Sequence, residues 1–174
     1  GGTSWTLKYS SQNQTTITQI RISPISHTTV FIITNIWDGT KVVMSKNGGD
    51  TWTDISGDLP KSPISSIAVN PKNDSILYVG SDNGIHSTSN SGNTWIRDEN
   101  FPYARVSDVV VNEDSGLIAV TYGMGMYRAQ LPGTTIPPPP IDTVPPPPPP
   151  VVKTITVVSP NGGEVWSVNS IHTI

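Results

Sequence analysis

A strand pattern recurs three times along this chain. Ile17-Thr18-Gln19-Ile20-Arg21-Ile22-Ser23-Pro24 matches Ile64-Ser65-Ser66-Ile67-Ala68-Val69-Asn70-Pro71 at every apolar position and at the proline, 47 residues apart. Val106-Ser107-Asp108-Val109-Val110-Val111-Asn112-Glu113 follows 42 residues later, with Glu113 replacing the proline. A fixed period of this length marks stacked supersecondary units, none of which buries its apolar face alone. Each copy continues with a second apolar run (Val30 to Ile33, Ile76 to Val79, Leu117 to Val120). A third short run then follows a glycine-containing turn: Val42 to Met44, Ile85 with His86, Met126 with Tyr127. Such runs, rich in Val, Ile and Tyr and bounded by Gly, Asn, Asp and Pro, predict strands joined by hairpins. No window of 11 residues carries a helical period, so no helix is expected and the fold class is all-β.

The period closes on a box. Ser45-Lys46-Asn47-Gly48-Gly49-Asp50-Thr51-Trp52 aligns with Thr88-Ser89-Asn90-Ser91-Gly92-Asn93-Thr94-Trp95, and Gly2-Thr3-Ser4-Trp5 is the tail of an earlier copy. Its chemistry is that of a clip. The hydroxyl of Ser45 or Thr88 ends one strand, and the side-chain oxygen of Asn47 or Asn90 folds onto nearby backbone N–H groups. Gly49 or Gly92 supplies a positive φ. Thr51 or Thr94 opens the next strand, and Trp52 or Trp95 buries a large ring between neighbouring sheets.

Ser/Thr-x-Asp-x-Gly-x-Thr-Trp is the Asp-box of bacterial neuraminidase-type repeat proteins, and both full copies resemble it except that Asn47 and Asn90 stand where Asp is usual. Asparagine keeps the acceptor oxygen and tolerates left-handed backbone. The resemblance covers roughly residues 1–132 and implies about three four-stranded blades of a β-propeller. Thr121-Tyr122-Gly123-Met124-Gly125-Met126-Tyr127 resembles the final-blade strand of secreted members, and no third full box follows it. Members of this group include sialidases, xyloglucan hydrolases, sortilin-like receptors and photosystem assembly factors, so fold alone does not decide function. Closed propellers use about four to eight blades. The remaining blades are therefore expected from an upstream chain or another copy, in keeping with a chain that reads as cut at both Gly1 and Ile174.

Ten of the 17 prolines fall between Pro137 and Pro150, which predicts a semi-rigid polyproline tether over 133–152. The stretch 153–174 reads as strand, turn and strand, and Ser159-Pro160-Asn161-Gly162-Gly163-Glu164-Val165-Trp166 resembles the start of a secreted immunoglobulin-like module. This stub is far short of the roughly 100 residues of a full sandwich.

Ten basic and 13 acidic residues give a net charge of −3, with no basic excess for nucleic acid. No apolar run approaches the ~20 residues of a membrane span. With no cysteine, disulfide scaffolds and thiolate chemistry are excluded. His27, His86 and His172 are far apart, so neither a metal nor a cofactor is expected. The acidic pairs Asp98-Glu99 and Glu113-Asp114 read as solvated loop charge; Asp108 on the first strand of the last copy is a better isolated carboxylate. Glycosidases need two carboxylates facing across a cleft, and sialidases several arginines around a carboxylate; Arg21, Arg97, Arg105 and Arg128 do not stand in that setting. No catalytic residue is assigned. Trp37, in an enlarged turn, with Phe101 and Tyr103 in the next inter-copy loop, are the candidate ligand-binding residues, since aromatic rings stack on sugars and propeller loops gather where ligands bind. The expectation is an extracellular or cell-surface binding or scaffold segment toward a polysaccharide, surface glycan or protein. The second reading is the C-terminal part of a xyloglucan-hydrolase-like glycoside hydrolase whose carboxylates lie mainly elsewhere, and the third a structural adhesin.

Overall fold

The computed structural model describes residues 2–11, 15–112 and 116–131. The expected tether over 133–152, the immunoglobulin-like start over 153–174, His172 and the Glu113-Asp114 pair lie outside these residues. Among the described residues eleven strands run β1 (Ile17–Ile22), β2 (Val30–Thr34), β3 (Val42–Ser45), β4 (Thr53–Asp54), β5 (Ile64–Val69), β6 (Leu77–Ser81), β7 (Gly84–Thr88), β8 (Ile96–Arg97), β9 (Val106–Asn112), β10 (Gly116–Thr121) and β11 (Gly125–Ala129). They form three antiparallel meanders: β1-β2-β3-β4, β5-β6-β7-β8 and β9-β10-β11. Among the described residues the third sheet has three strands, where four per blade were expected. No box follows β11 to turn the chain back.

The repeat survives in detail. Each first strand carries a bulge at the same place, leaving Thr18, Ser65 and Ser107 opposite no partner. A bulge bends and twists its strand, and a hydroxyl residue there can bond laterally: Ser65 Oγ donates to Gly80 O at 3.1 Å and to Val106 O of the next sheet at 2.7 Å. A second repeated hydroxyl closes the turn after each second strand. Thr34, Ser81 and Thr121 donate to the carbonyls of Thr40, Gly84 and Gly125 at 2.6–2.9 Å.

Burial follows from alternation along strands. The back of the first sheet (Phe31, Ile33, Val42, Met44) packs on the front of the second (Ile67, Val69, Leu77, Val79), with Ile55 and Trp95 in the same core. The back of the second (Ala68, Tyr78, Ile85) packs likewise on the front of the third (Val106, Val109, Leu117, Ala119). Sequential sheets stacked face to face in this way are the arrangement of propeller blades.

The boxes set the outer edge. Ser45 Oγ accepts from the backbone N–H groups of Asn47 (3.3 Å) and Gly49 (2.8 Å), and Asn47 Oδ1 accepts from Thr51 N at 2.9 Å. Thr88, Asn90, Gly92 and Thr94 repeat these bonds at 3.2, 3.1 and 3.0 Å. In both boxes the asparagine amide donates to the threonine hydroxyl at 2.9 Å. The box then reaches the preceding unit. The Trp95 indole N–H donates to Ile55 O (3.1 Å), and the Trp52 indole N–H to Lys8 O (2.8 Å). Lys8 and Ile55 are 47 residues apart, so these are one contact made twice.

Gly92 sits at φ +84°, and a Cβ there would lie 2.3 Å from Ile55 O. Gly92→Ala is therefore expected to destabilise the chain by about 2 kcal/mol or more, and Trp95→Ala by about 3–5 kcal/mol. Trp37→Ala, a surface change, should stay within about 0.5 kcal/mol. Urea unfolding of the three variants checks the order.

Candidate functional site

Antiparallel pairing puts the β2–β3, β6–β7 and β10–β11 turns and the links entering β5 and β9 at one end of the sheets. Trp37, Tyr103 and Tyr122 are exposed there. In the enlarged β2–β3 turn Trp37 is 65% exposed. Its carbonyl accepts from the buried Lys41 ammonium at 2.8 Å, which anchors the turn beneath the ring. Burial pushes the Lys41 ammonium below its ordinary pKa, partly offset by the charge of Asp38.

Tyr103 is 77% exposed, with the Arg97 guanidinium 3.7 Å from its ring centroid. That guanidinium also donates to Asn83 O (3.1 Å), Asp98 O (3.1 Å) and Phe101 O (2.8 Å), so it holds the loop and leaves the other ring face of Tyr103 open. Phe101 differs from the exposed aromatic expected of it. At 8% exposure it belongs to the core between the second and third sheets, edge-on to Tyr127 at 5.1 Å. A large apolar ring beside Leu117 and Val106 gains more from burial than from display. Trp37 stands on the first sheet and Tyr103 on the loop entering the third.

A cleft of about 350 Å³ lies between residues 9–11 and the first sheet, with Tyr9, Trp52, Asp38, Thr40 and Asp54 in its lining. Sequence reading missed Tyr9, Asp38 and Asp54, although the enlarged turn holding Asp38 and the position of Asp54 just past the box were available signals. Tyr9 and Trp52 stack at 5.1 Å with a 56° tilt. Burial, then the charge of Asp54, raises the Tyr9 phenol above its usual pKa.

Burial pushes the Asp54 carboxyl up, but hydrogen bonds from Ser56 Oγ (2.6 Å), Thr40 Oγ1 (2.5 Å) and Ser56 N (2.9 Å) outweigh it and hold it below the carboxylate range. The hydrogen bond and charge of Lys61, 2.7 Å away, lower Asp38 in the same direction. At the matching place on the second sheet His86 stands for Val43 and Arg97 for Asp54, both larger groups.

Asp108 accepts a hydrogen bond from Val109 N of its own strand at 3.0 Å. Among the described residues no group of three or more His, Cys, Asp or Glu gathers as a metal site, and no helix is long and apolar enough to cross a membrane.

No protein-family model matches this chain, and no curated protein does. Its fold resembles an ancestral GH74 enzyme (TM-score 0.52, 19% identity, covering 60% of this chain and 13% of that one). It also resembles the GH74 enzyme of Niastella koreensis (0.52, 19%, 68% and 22%) and YCF48 from Cyanidioschyzon merolae (0.50, 12%, 68% and 38%). All are β-propellers, and the chain spans less than two fifths of each. The described residues are part of a β-propeller.

His86, buried in β7, has no hydrogen-bond partner for Nδ1 among the described residues. Burial, then the Arg97 charge, lowers its pKa, with Asp58 acting against them. The unfolded chain takes up a proton near the ordinary histidine value of about 6.5 that the folded chain refuses. Stability is thus complete above that pH and lost as pH falls below it. Tm is expected to be lower at pH 5 than at pH 7.5, and His86→Val, which installs the residue type of Val43, should shrink the difference.

Proposed function

We infer that this chain is a segment of a secreted or cell-surface β-propeller that binds a glycan or protein ligand without cleaving it. The cleft of Tyr9, Trp52, Asp38 and Asp54 carries the reading. Aromatic faces offer stacking surface to sugar rings, and carboxylates already ionised, with hydroxyls beside them, accept and exchange hydrogen bonds with a polyol. Exposed Trp37 and Tyr103 extend the aromatic surface at the same end of the sheets.

Glycoside hydrolysis instead requires one carboxyl kept protonated near neutrality as the acid, and both cleft carboxyls are held toward the ionised form. The second reading, favoured by the fold shared with the GH74 enzymes, makes this the C-terminal part of a polysaccharide-degrading enzyme whose carboxylates lie mainly outside these residues. In either case we take the two boxes as Asp-boxes with asparagine in the acidic place, residues 133–152 as a tether, and 153–174 as the start of an immunoglobulin-like module.

Pull-down on a polysaccharide panel, with reducing-sugar release assayed in the same wells, tests the reading. Retention without release is expected. Tyr9→Ala should weaken retention about threefold to tenfold, the worth of one aromatic contact of roughly 0.5–1.5 kcal/mol. Sugar release abolished by Asp38→Asn or Asp54→Asn would sink the non-catalytic reading.

A further inference from the structure

The cleft between residues 9–11 and the first sheet is rich in hydrogen-bond acceptors, because several of its own protons are already committed inside the fold. Thr40 Oγ1 donates to Asp54 Oδ2 at 2.5 Å and Ser11 Oγ to Thr15 O at 2.6 Å, so these two oxygens offer the cleft lone pairs. The Trp52 indole N–H is held by Lys8 O and Gly49 O at 2.8 and 2.9 Å, and the Gly39 N–H by the Asp38 carboxylate. The Tyr9 and Ser10 hydroxyls, also in the lining, turn to donate or accept.

Both charged side chains in the lining are carboxylates, Asp38 and Asp54. Lys61 pairs with Asp38 at 2.7 Å, with both side chains largely in solvent, an arrangement that holds weakly. Asp54 is balanced by dipoles alone. Ser56 N, Ser56 Oγ and Thr40 Oγ1 donate to it, and it has no ion pair among the described residues. Lys41, the other nearby cation, is buried and gives its ammonium to Trp37 O. Such dipoles keep the carboxyl ionised without cancelling its charge. The lining therefore asks for a ligand with several donors and a positive charge, and the paired rings of Tyr9 and Trp52 add a surface that attracts cations as well as sugar faces.

We propose, building on the reading of this cleft as a ligand site, that its ligand is a sugar bearing a free amine, with the ammonium on Asp54 and ring hydroxyls donating to the Thr40 and Ser11 oxygens. An acidic sugar would bring its carboxylate against Asp38 and Asp54 with no cation in the lining to meet it. Acetylation of the amine removes the charge and with it the stronger, charge-assisted hydrogen bond. A lysine side chain brings the ammonium but no hydroxyls, on a flexible stem whose ordering opposes binding.

Calorimetric titration of the 174-residue chain with hexamers of glucosamine, N-acetylglucosamine and glucose tests the class of ligand. Near pH 6 and at low salt the glucosamine hexamer is expected to bind at least tenfold tighter than the other two, with a margin that narrows in high salt. Asp54→Asn removes the charge at constant size and should bring the three within about threefold. Asp50→Asn makes the same change at an exposed carboxylate outside the lining. It should leave the margin intact, which separates the site from adsorption on a chain of net charge −3. Should Asp54→Asn fail to fold, the ranking of the hexamers on the unaltered chain decides. Equal binding by the three hexamers would overturn the proposal and leave the glycan reading standing. A margin erased by Asp50→Asn, or hexalysine displacing the glucosamine hexamer as readily as glucosamine itself, would overturn it too, the latter in favour of a protein ligand. No binding by any of these probes also sinks it, and the polysaccharide panel then judges the broader reading separately.

Discussion

The indole that each box sends back to the preceding unit is the contact on which the rest of this structure depends. A two-faced sheet of four short strands is unstable alone, because each face exposes apolar side chains and each edge exposes backbone. Trp95 answers both problems at one junction. Its ring completes the core between the first two sheets, and its N–H satisfies the Ile55 carbonyl. The box exists to aim that ring. Thr88 and Asn90 fold the turn tightly enough for Gly92 to pass against Ile55 O, where a side chain would not fit.

Variation at this repeated junction creates the candidate site. The scaffold that buries His86 and half-buries Arg97 at the second sheet opens into a cleft at the first, where Val43 and Asp54 replace them and Tyr9 enters from the preceding segment. Asp54 is held ionised by neighbours from its own hairpin and the enlarged turn. The same insertion that lengthens the turn brings Asp38 to the rim and lifts Trp37 into solvent.

Much of the fold was legible in the residues because its signals are local. Strand edges at Ile17, Ile64 and Val106, the glycine turns, and the clip from Ser45 to Trp52 all follow from alternation and side-chain chemistry within a few residues. The site was less legible. Phe101 and Tyr103 are two residues apart and equally aromatic, yet one is core and the other surface, because Arg97 gathers the Asn83, Asp98 and Phe101 carbonyls and turns the loop between them. Tyr9 gave no signal, since its partner Trp52 lies 43 residues away.

By itself the sequence determined the all-β class, the three-fold repeat and the box turns, since each rests on periodicity and on hydrogen bonds spanning five residues or fewer. Only the tertiary structure decided that β11 is the last strand of the third sheet among the described residues, that a cleft forms between residues 9–11 and the first sheet, and that His86 Nδ1 is buried with no hydrogen-bond partner among those residues. Those outcomes depend on which side chains from separate repeats meet across a junction, and burial and electrostatic shifts arise only once they have met.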